Sequence, residues 1–236
     1  MLGMLRLLLA MAVAFSHAGV SFYGFHIGVP AVVIFYVLAG YVVALQWREL
    51  RASRTLSNSV AAFYLDRALR LWPAYLAALV ICGLIVVLAA PQSPFLSRAP
   101  DAACVLANVT IIPLNYFMYS GLDRCSLIPV AWSLGLELQF YLIAPLVMSS
   151  AGLRTPLVAA SIGVYLVATL GWIDTDIWGY RLLPGTLFIF VMGAILAQSK
   201  LTGRVERMGW GIAVGVATML FIFVAASPHL HRNFAV

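Results

Sequence analysis

The sequence predicts an all-α fold, a polytopic bundle of about seven transmembrane helices, and three observations predict it. Hydrophobic residues make up 64% of the 236 residues and charged residues 9%, against roughly a quarter charged in soluble domains. Runs of mostly apolar residues, close to the roughly 20 that a helix needs to cross a bilayer, occur near 4–22, 27–45, 71–90, 130–148, 156–173, 182–197 and 208–226. The loops between these runs alternate in basic content. With a cytoplasmic N-terminus, the inner side holds Arg6, Arg48, Arg51, Arg54, Arg67, Arg70, Arg154, Lys200, Arg204 and Arg207, and the outer side only Arg98, Arg124, Arg181 and Arg232. That asymmetry follows the positive-inside rule and supports both the spans and the orientation.

The first span opens with Arg6 ahead of the apolar run Leu7–Phe15, followed by small residues. A cleaved signal peptide reads the same way, and cleavage would remove His17. Between the second and third spans, Ser57 or Ser59 is positioned to cap a helix running to Trp72, with Pro73 starting the next span. Cys82 falls inside that span as a small buried apolar side chain. The long outer segment 91–129 carries Cys104 and Cys125, which an oxidising compartment would allow to pair or leave free. Three cysteines are too few for a disulfide framework. No His or carboxylate stands beside them at ligand spacing, so no metal is expected.

The fourth span is entered near Pro129, and the short sixth has Pro184 and Gly185 near its start. The seventh carries Gly211 and Gly215, a GxxxG suited to helix packing. Trp47, Trp72, Trp172, Trp178 and Trp210 sit at expected span ends as interfacial anchors. His26, His229 and His231 fall at membrane edges or the terminus, where no chemistry is assigned to them.

The formal net charge of +6 raises nucleic acid as a partner. The basic residues are spread over alternating loops with no patch of interleaved aromatics, so nucleic-acid binding is excluded.

An ionisable group inside the hydrocarbon costs several kcal/mol on most scales and demands a partner or a function. Two residues qualify, His17 and Glu137. Arg6 and His17 are eleven residues apart, about three helical turns, so they share a face with a rise of ~16 Å. Glu137 lies ~12 Å into a span entered from outside, at a depth similar to that of His17 in a core of ~30 Å. An imidazole oriented by a carboxylate is more basic, as a general base acting on a hydroxyl requires. The plain alternative is a His–Glu pair that only joins two helices. Arg67 and Arg70, three residues apart, would let two guanidiniums converge on one phosphorylated ligand. The alternative there is interfacial anchoring, with Asp66 and Arg70 paired at i, i+4.

In order and spacing, several segments resemble the acyltransferase 3 family of integral-membrane O-acyltransferases. They are GMLR at 3–6 with His17 following, GVPAVVIFYVLAGYVV at 28–43 and FYLDRALRLWPAY at 63–75. WSLGLELQFYLIAPL at 132–146 and YRLLPGTLFIFVMGAILA at 180–197 complete the set. The chain departs from the family at Ala39 and Gly135, where Ser is frequent, and at Leu138, where Glu is frequent. The resemblance implies that Arg6, His17, Arg67 and Arg70 are functional positions. It also implies acetyl-CoA or another acyl-CoA as cytoplasmic donor and a hydroxyl of a surface polysaccharide or glycosylated small molecule as acceptor. It further implies a single transmembrane acyltransferase domain over 1–236 that lacks the family's last helices, since members usually have about ten spans.

The expected reaction places the donor phosphates near Arg67 and Arg70 with Arg6 on the donor side. His17 is the base, Glu137 its orienting partner, and Arg181 at the outer mouth contacts the acceptor. An acyl-His intermediate fits the same residues. No permanently bound cofactor is expected. The expected location is the cytoplasmic membrane, multi-pass, with lipids as neighbours and a homo-oligomer compatible with the sequence. A proton-coupled transporter or flippase would use the same intramembrane His and Glu, and a non-catalytic membrane subunit would suit the shorter chain.

Overall fold

The apolar runs form helices where expected, but the breaks between them differ from those the sequence predicts. The computed structural model describes residues 2–17 and 27–199, with side chains over 3–16 and 27–198. The helices are α1 (Leu2–His17), α2 (Gly28–Ser53), α3 (Leu56–Ala89), α4 (Ala102–Thr110), α5 (Phe117–Ser120), α6 (Ala131–Ser149), α7 (Ala151–Thr169) and α8 (Leu183–Ser199). No strand occurs among the described residues, and the fold is all-α. Five helical segments are long and apolar enough to cross a membrane: α2, α3, α6, α7 and Ile177–Gln198. The pair Ala102–Thr110 and Ile112–Ser120, bent by 109°, is a sixth candidate, a broken span or a re-entrant loop. The expected seventh span at 208–226, with Gly211, Gly215 and nearby Trp210, lies outside the described residues, as do His26, His229 and His231. The expected first span is described only as α1, 16 residues long and so ~24 Å.

The expected break at Trp72–Pro73 is absent. α3 runs 34 residues straight through Pro73. Proline costs the helix the bond from residue 73 to the carbonyl of residue 69 and sets its ring against that carbonyl, but its φ is itself helical. Apolar helix-forming sequence on both sides carries the helix on. Nor does Ser57 or Ser59 cap it: Thr55 is the extended N-cap residue and makes no side-chain cap bond. Ser59, fully buried, instead donates its hydroxyl to the carbonyls of Thr55 (2.8 Å) and Leu50 (3.2 Å), tying the start of α3 to the end of α2. At ~51 Å, α3 exceeds a ~30 Å hydrocarbon core by about fourteen residues. Its C-terminal stretch 71–89 is apolar, and Asp66, Arg67 and Arg70 lie in its N-terminal half.

Two compact units divide the chain, Met1–Arg48 with Met148–Val236, and Glu49–Val147. In the first, Leu9 of α1 packs with Ala31 and Leu38 of α2. α2 and α8 approach almost backbone to backbone. A Cβ on Gly40 would lie 1.7 Å from the Phe190 carbonyl oxygen, and one on Gly193 would lie 1.9 Å from that of Val37. No side chain larger than hydrogen fits at either crossing, the small-residue device by which membrane helices gain dispersion contact. Tyr36 stacks on Phe190 at 4.8 Å, and Ala44, Ala194 and Ala197 continue the seam. Between α7 and α8, the Phe188 N–H donates to the Ser161 hydroxyl at 3.1 Å. Trp47 is buried, not an interfacial anchor, because α2 continues to Ser53, well past the expected span end at 45. Trp172 is 79% exposed, as an anchor would be.

In the second unit the segment after α3 is built rather than looped. Cys104 and Cys125 form a disulfide. Beside it the Asn108 side chain bonds to three backbone groups: its amide donates to the carbonyls of Cys104 and Cys125, both at 2.9 Å, and its oxygen accepts from Leu127 N–H at 3.0 Å; its backbone carbonyl accepts from the Tyr75 hydroxyl at 2.7 Å. The Asp101 carboxylate accepts from the Cys104 N–H and pairs with Arg98, and these contacts hold its pKa below the ordinary value. Cys82 on α3 is half-buried, not buried. It shares a helix whose Val80, Ile81, Leu84, Ile85, Val87 and Leu88 are exposed, as a lipid-facing surface requires.

Candidate active site

The N-terminal half of α3 and the middle of α6 build one polar cluster within the second unit. Arg67 is buried, its side chain only 7% exposed, whereas Arg70 is 64% exposed and Asp66 39%. Both guanidiniums reach Asp66 Oδ2 at 3.5 Å. The i, i+4 pair that anchoring predicts is therefore present, and Asp66 also joins Arg70 to Arg67. An exposed i, i+4 pair is worth only about 0.3–0.5 kcal/mol, so Arg70 is released to another anion at little cost.

Arg67 is held differently. Its guanidinium carbon lies 5.7 Å from the centroid of Phe63, one turn earlier on α3, and 5.4 Å from that of Tyr141 on α6. The two rings meet edge to face at 6.3 Å. A buried cation requires such compensation. The Tyr141 hydroxyl donates a hydrogen bond to the Glu137 carboxylate. Tyr64, on the neighbouring turn of α3, donates to the Leu142 carbonyl at 2.7 Å and fixes the same pair of helices. Glu137 and Arg67 thus share Tyr141 as a neighbour.

Of the expected site residues, Arg67, Arg70 and Glu137 fall in the second unit, and Arg6, His17 and Arg181 in the first. His17 is the last residue of α1, and its side chain lies outside the described residues. Arg6 is half-buried on α1. Arg181 ends a five-residue π-turn, Ile177–Arg181, that precedes α8. It pairs with Asp176 at 2.7 Å, largely buried, and lies over Tyr180 at 5.6 Å. Burial pushes the Asp176 carboxyl upward, and Arg181 opposes that shift. Any acceptor contact by Arg181 therefore competes with Asp176.

The turn after α4 comes against α6. Ile111, fully buried, has φ 69°, an outlier for a β-branched residue. Its carbonyl oxygen would lie 2.9 Å from a Cβ on Gly135, and Asn115 Cβ 3.1 Å away. Gly135 is thus required by this close backbone approach. Beyond it, buried Asn115 accepts from Gln139 at 2.7 Å, and Gln139 accepts from the Tyr116 hydroxyl at 2.6 Å. Tyr141, Phe63, Asn115 and Gln139 were not singled out by sequence reasoning. The available signal was their i±4 spacing: Tyr141 from Glu137, and Phe63 from Arg67. Among the described residues, no group of three or more His, Cys, Asp or Glu side chains is placed to hold a metal ion.

Helices of membrane length, one of them carrying a buried and an exposed arginine, define an integral-membrane protein with a polar site. Residues 2–235 match the family described as an acyltransferase domain. The chain belongs to this acyltransferase 3 family. An uncharacterised protein of Aquifex aeolicus (strain VF5) is 40% identical over 81 residues, covering 34% of this chain and 36% of that protein. This chain therefore aligns with about a third of that relative's length. No solved structure matches the chain.

Proposed function

We propose that the chain transfers an acyl group, acetyl foremost, from a cytoplasmic acyl-CoA to a hydroxyl of a sugar-containing acceptor such as a surface polysaccharide. The observation that carries this reading is the pairing of a buried Arg67 with an exposed Arg70 on adjacent turns of α3. A planar, permanently charged guanidinium suits phosphate, and an acyl-CoA brings phosphates on a long arm that can carry its thioester onward. Arg70 would bind a phosphate directly, Arg67 would supply fixed charge beneath it, and Arg6 would add to the donor side. His17 would take the acceptor's hydroxyl proton as the oxygen attacks the thioester carbonyl. The C–S bond then breaks, and the CoA thiolate takes that proton from the imidazolium. Arg181 would contact the acceptor.

Isothermal calorimetry with acetyl-CoA on the purified full chain tests the donor site. Arg70→Ala is expected to weaken binding by about tenfold, the scale of one charge-assisted hydrogen bond, and to lower its salt sensitivity. Unchanged affinity in both Arg70→Ala and Arg67→Ala would return the pair to anchoring.

The proposed location is the cytoplasmic membrane with the N-terminus inside. It is supported by the alternating basic loops and by the disulfide in segment 91–129, since disulfides persist in oxidising compartments. A cysteine introduced at position 54 is expected to resist an impermeant thiol reagent in intact cells, and its labelling would overturn the orientation.

A further inference from the structure

We propose that Tyr141, fixed by Glu137, is a positioning residue that sets the Arg67 guanidinium for the donor; this rests on the reading of Arg67 and Arg70 as the donor's phosphate site. Asp66 is a poor holder of Arg67. It is the adjacent residue on the same helix, where side chains do not face each other, and its contact is a loose 3.5 Å. Phe63 belongs to α3 as well. Tyr141 is the aromatic wall that α6 supplies, and it fixes the guanidinium relative to a second helix.

The ring has its own constraint. Its hydroxyl is bonded to the Glu137 carboxylate one turn back on α6, and fully buried Phe63 meets it edge to face. A carboxylate accepting the phenol proton also enriches the ring in electron density, which strengthens attraction to a cation over its face. Glu137, Tyr141 and Arg67 therefore form a line from α6 to α3. Its far end is joined through Asp66 to the exposed Arg70. Preorganising a charged group in this way lowers the cost of binding without adding a contact to the ligand.

The test is a double-mutant cycle read by acetyl-CoA calorimetry on the full chain, with thermal unfolding recorded for every variant. Tyr141→Phe retains the ring and its volume and removes only the hydroxyl. In the wild-type background it is expected to raise the dissociation constant by about tenfold, the scale of one hydrogen bond to a charged group. In an Arg67→Lys background, where the planar cation is already lost, the further change should be less than about twofold, because residues acting through one another are non-additive. If Tyr141→Phe does not accumulate as folded protein, Glu137→Gln weakens the same bond at constant shape and is run through the same cycle. Equal losses in both backgrounds, or no loss in the first, would overturn the positioning role while leaving the donor site standing. Unchanged affinity in Arg67→Lys and Arg67→Ala alike would instead remove Arg67 from the donor site, and this inference with it.

Discussion

His17→Ala is expected to lower acyl transfer by about 10²- to 10⁴-fold, the usual worth of a positioned general base, while folding and donor binding persist. The expectation follows from an ionisable residue at the end of an apolar helix, on the face that also carries Arg6, in a chain that belongs to an acyltransferase family. Turnover with acetyl-CoA and a hydroxyl acceptor gives the rate, and thermal unfolding with and without acetyl-CoA reports whether the donor still protects the fold. A folded His17→Ala protein that turns over at the wild-type rate excludes the base. Lower stability with normal specific turnover would make His17 a link between helices. Glu137→Gln adds a discriminating reading. If Glu137 orients His17, its loss appears in turnover; if it acts by holding Tyr141, the loss appears in donor affinity.

The spans were legible because burial in lipid leaves a one-dimensional signal, a run of apolar residues of fixed length, and α2, α6, α7 and α8 fall on those runs. The breaks were harder to read. Pro73 looks like a boundary, yet the helix-forming residues on both sides continue α3 through it. The segment 91–129 reads as a loop because its apolar run is interrupted at Ile111–Pro113. There a positive φ turns the chain by 109° between two short helical pieces, and a buried amide network holds the piece after the bend. Such a turn depends on tertiary partners, Gly135 and Asn115 among them, that no local pattern announces. The site was legible as a set of charges but not as a geometry. Three-residue spacing places Arg67 and Arg70 on one side of a helix; it does not say that one is buried against Phe63 and Tyr141 while the other stays in solvent.

That difference in environment gives the two arginines opposite responses to the same conservative change. Arg67→Lys is expected to weaken acetyl-CoA binding by at least about tenfold and to lower the unfolding midpoint by several degrees, whereas Arg70→Lys should stay within about threefold in affinity with unchanged stability. A lysine keeps the charge but replaces a flat, weakly hydrated guanidinium with a compact, strongly hydrated ammonium. Beside Phe63 and Tyr141 the ammonium must shed water it holds tightly, where a desolvated cation–ring contact is worth about 2 kcal/mol, on a scale where about 1 kcal/mol moves a domain midpoint by ~2–4 °C. At the exposed position it keeps its hydration and still presents a point charge to phosphate. Calorimetry and thermal unfolding on the two single variants measure both quantities. Equal tolerance at the two positions would mean that the aromatic walls contribute nothing to holding Arg67, and the cation–π account of the site would be wrong.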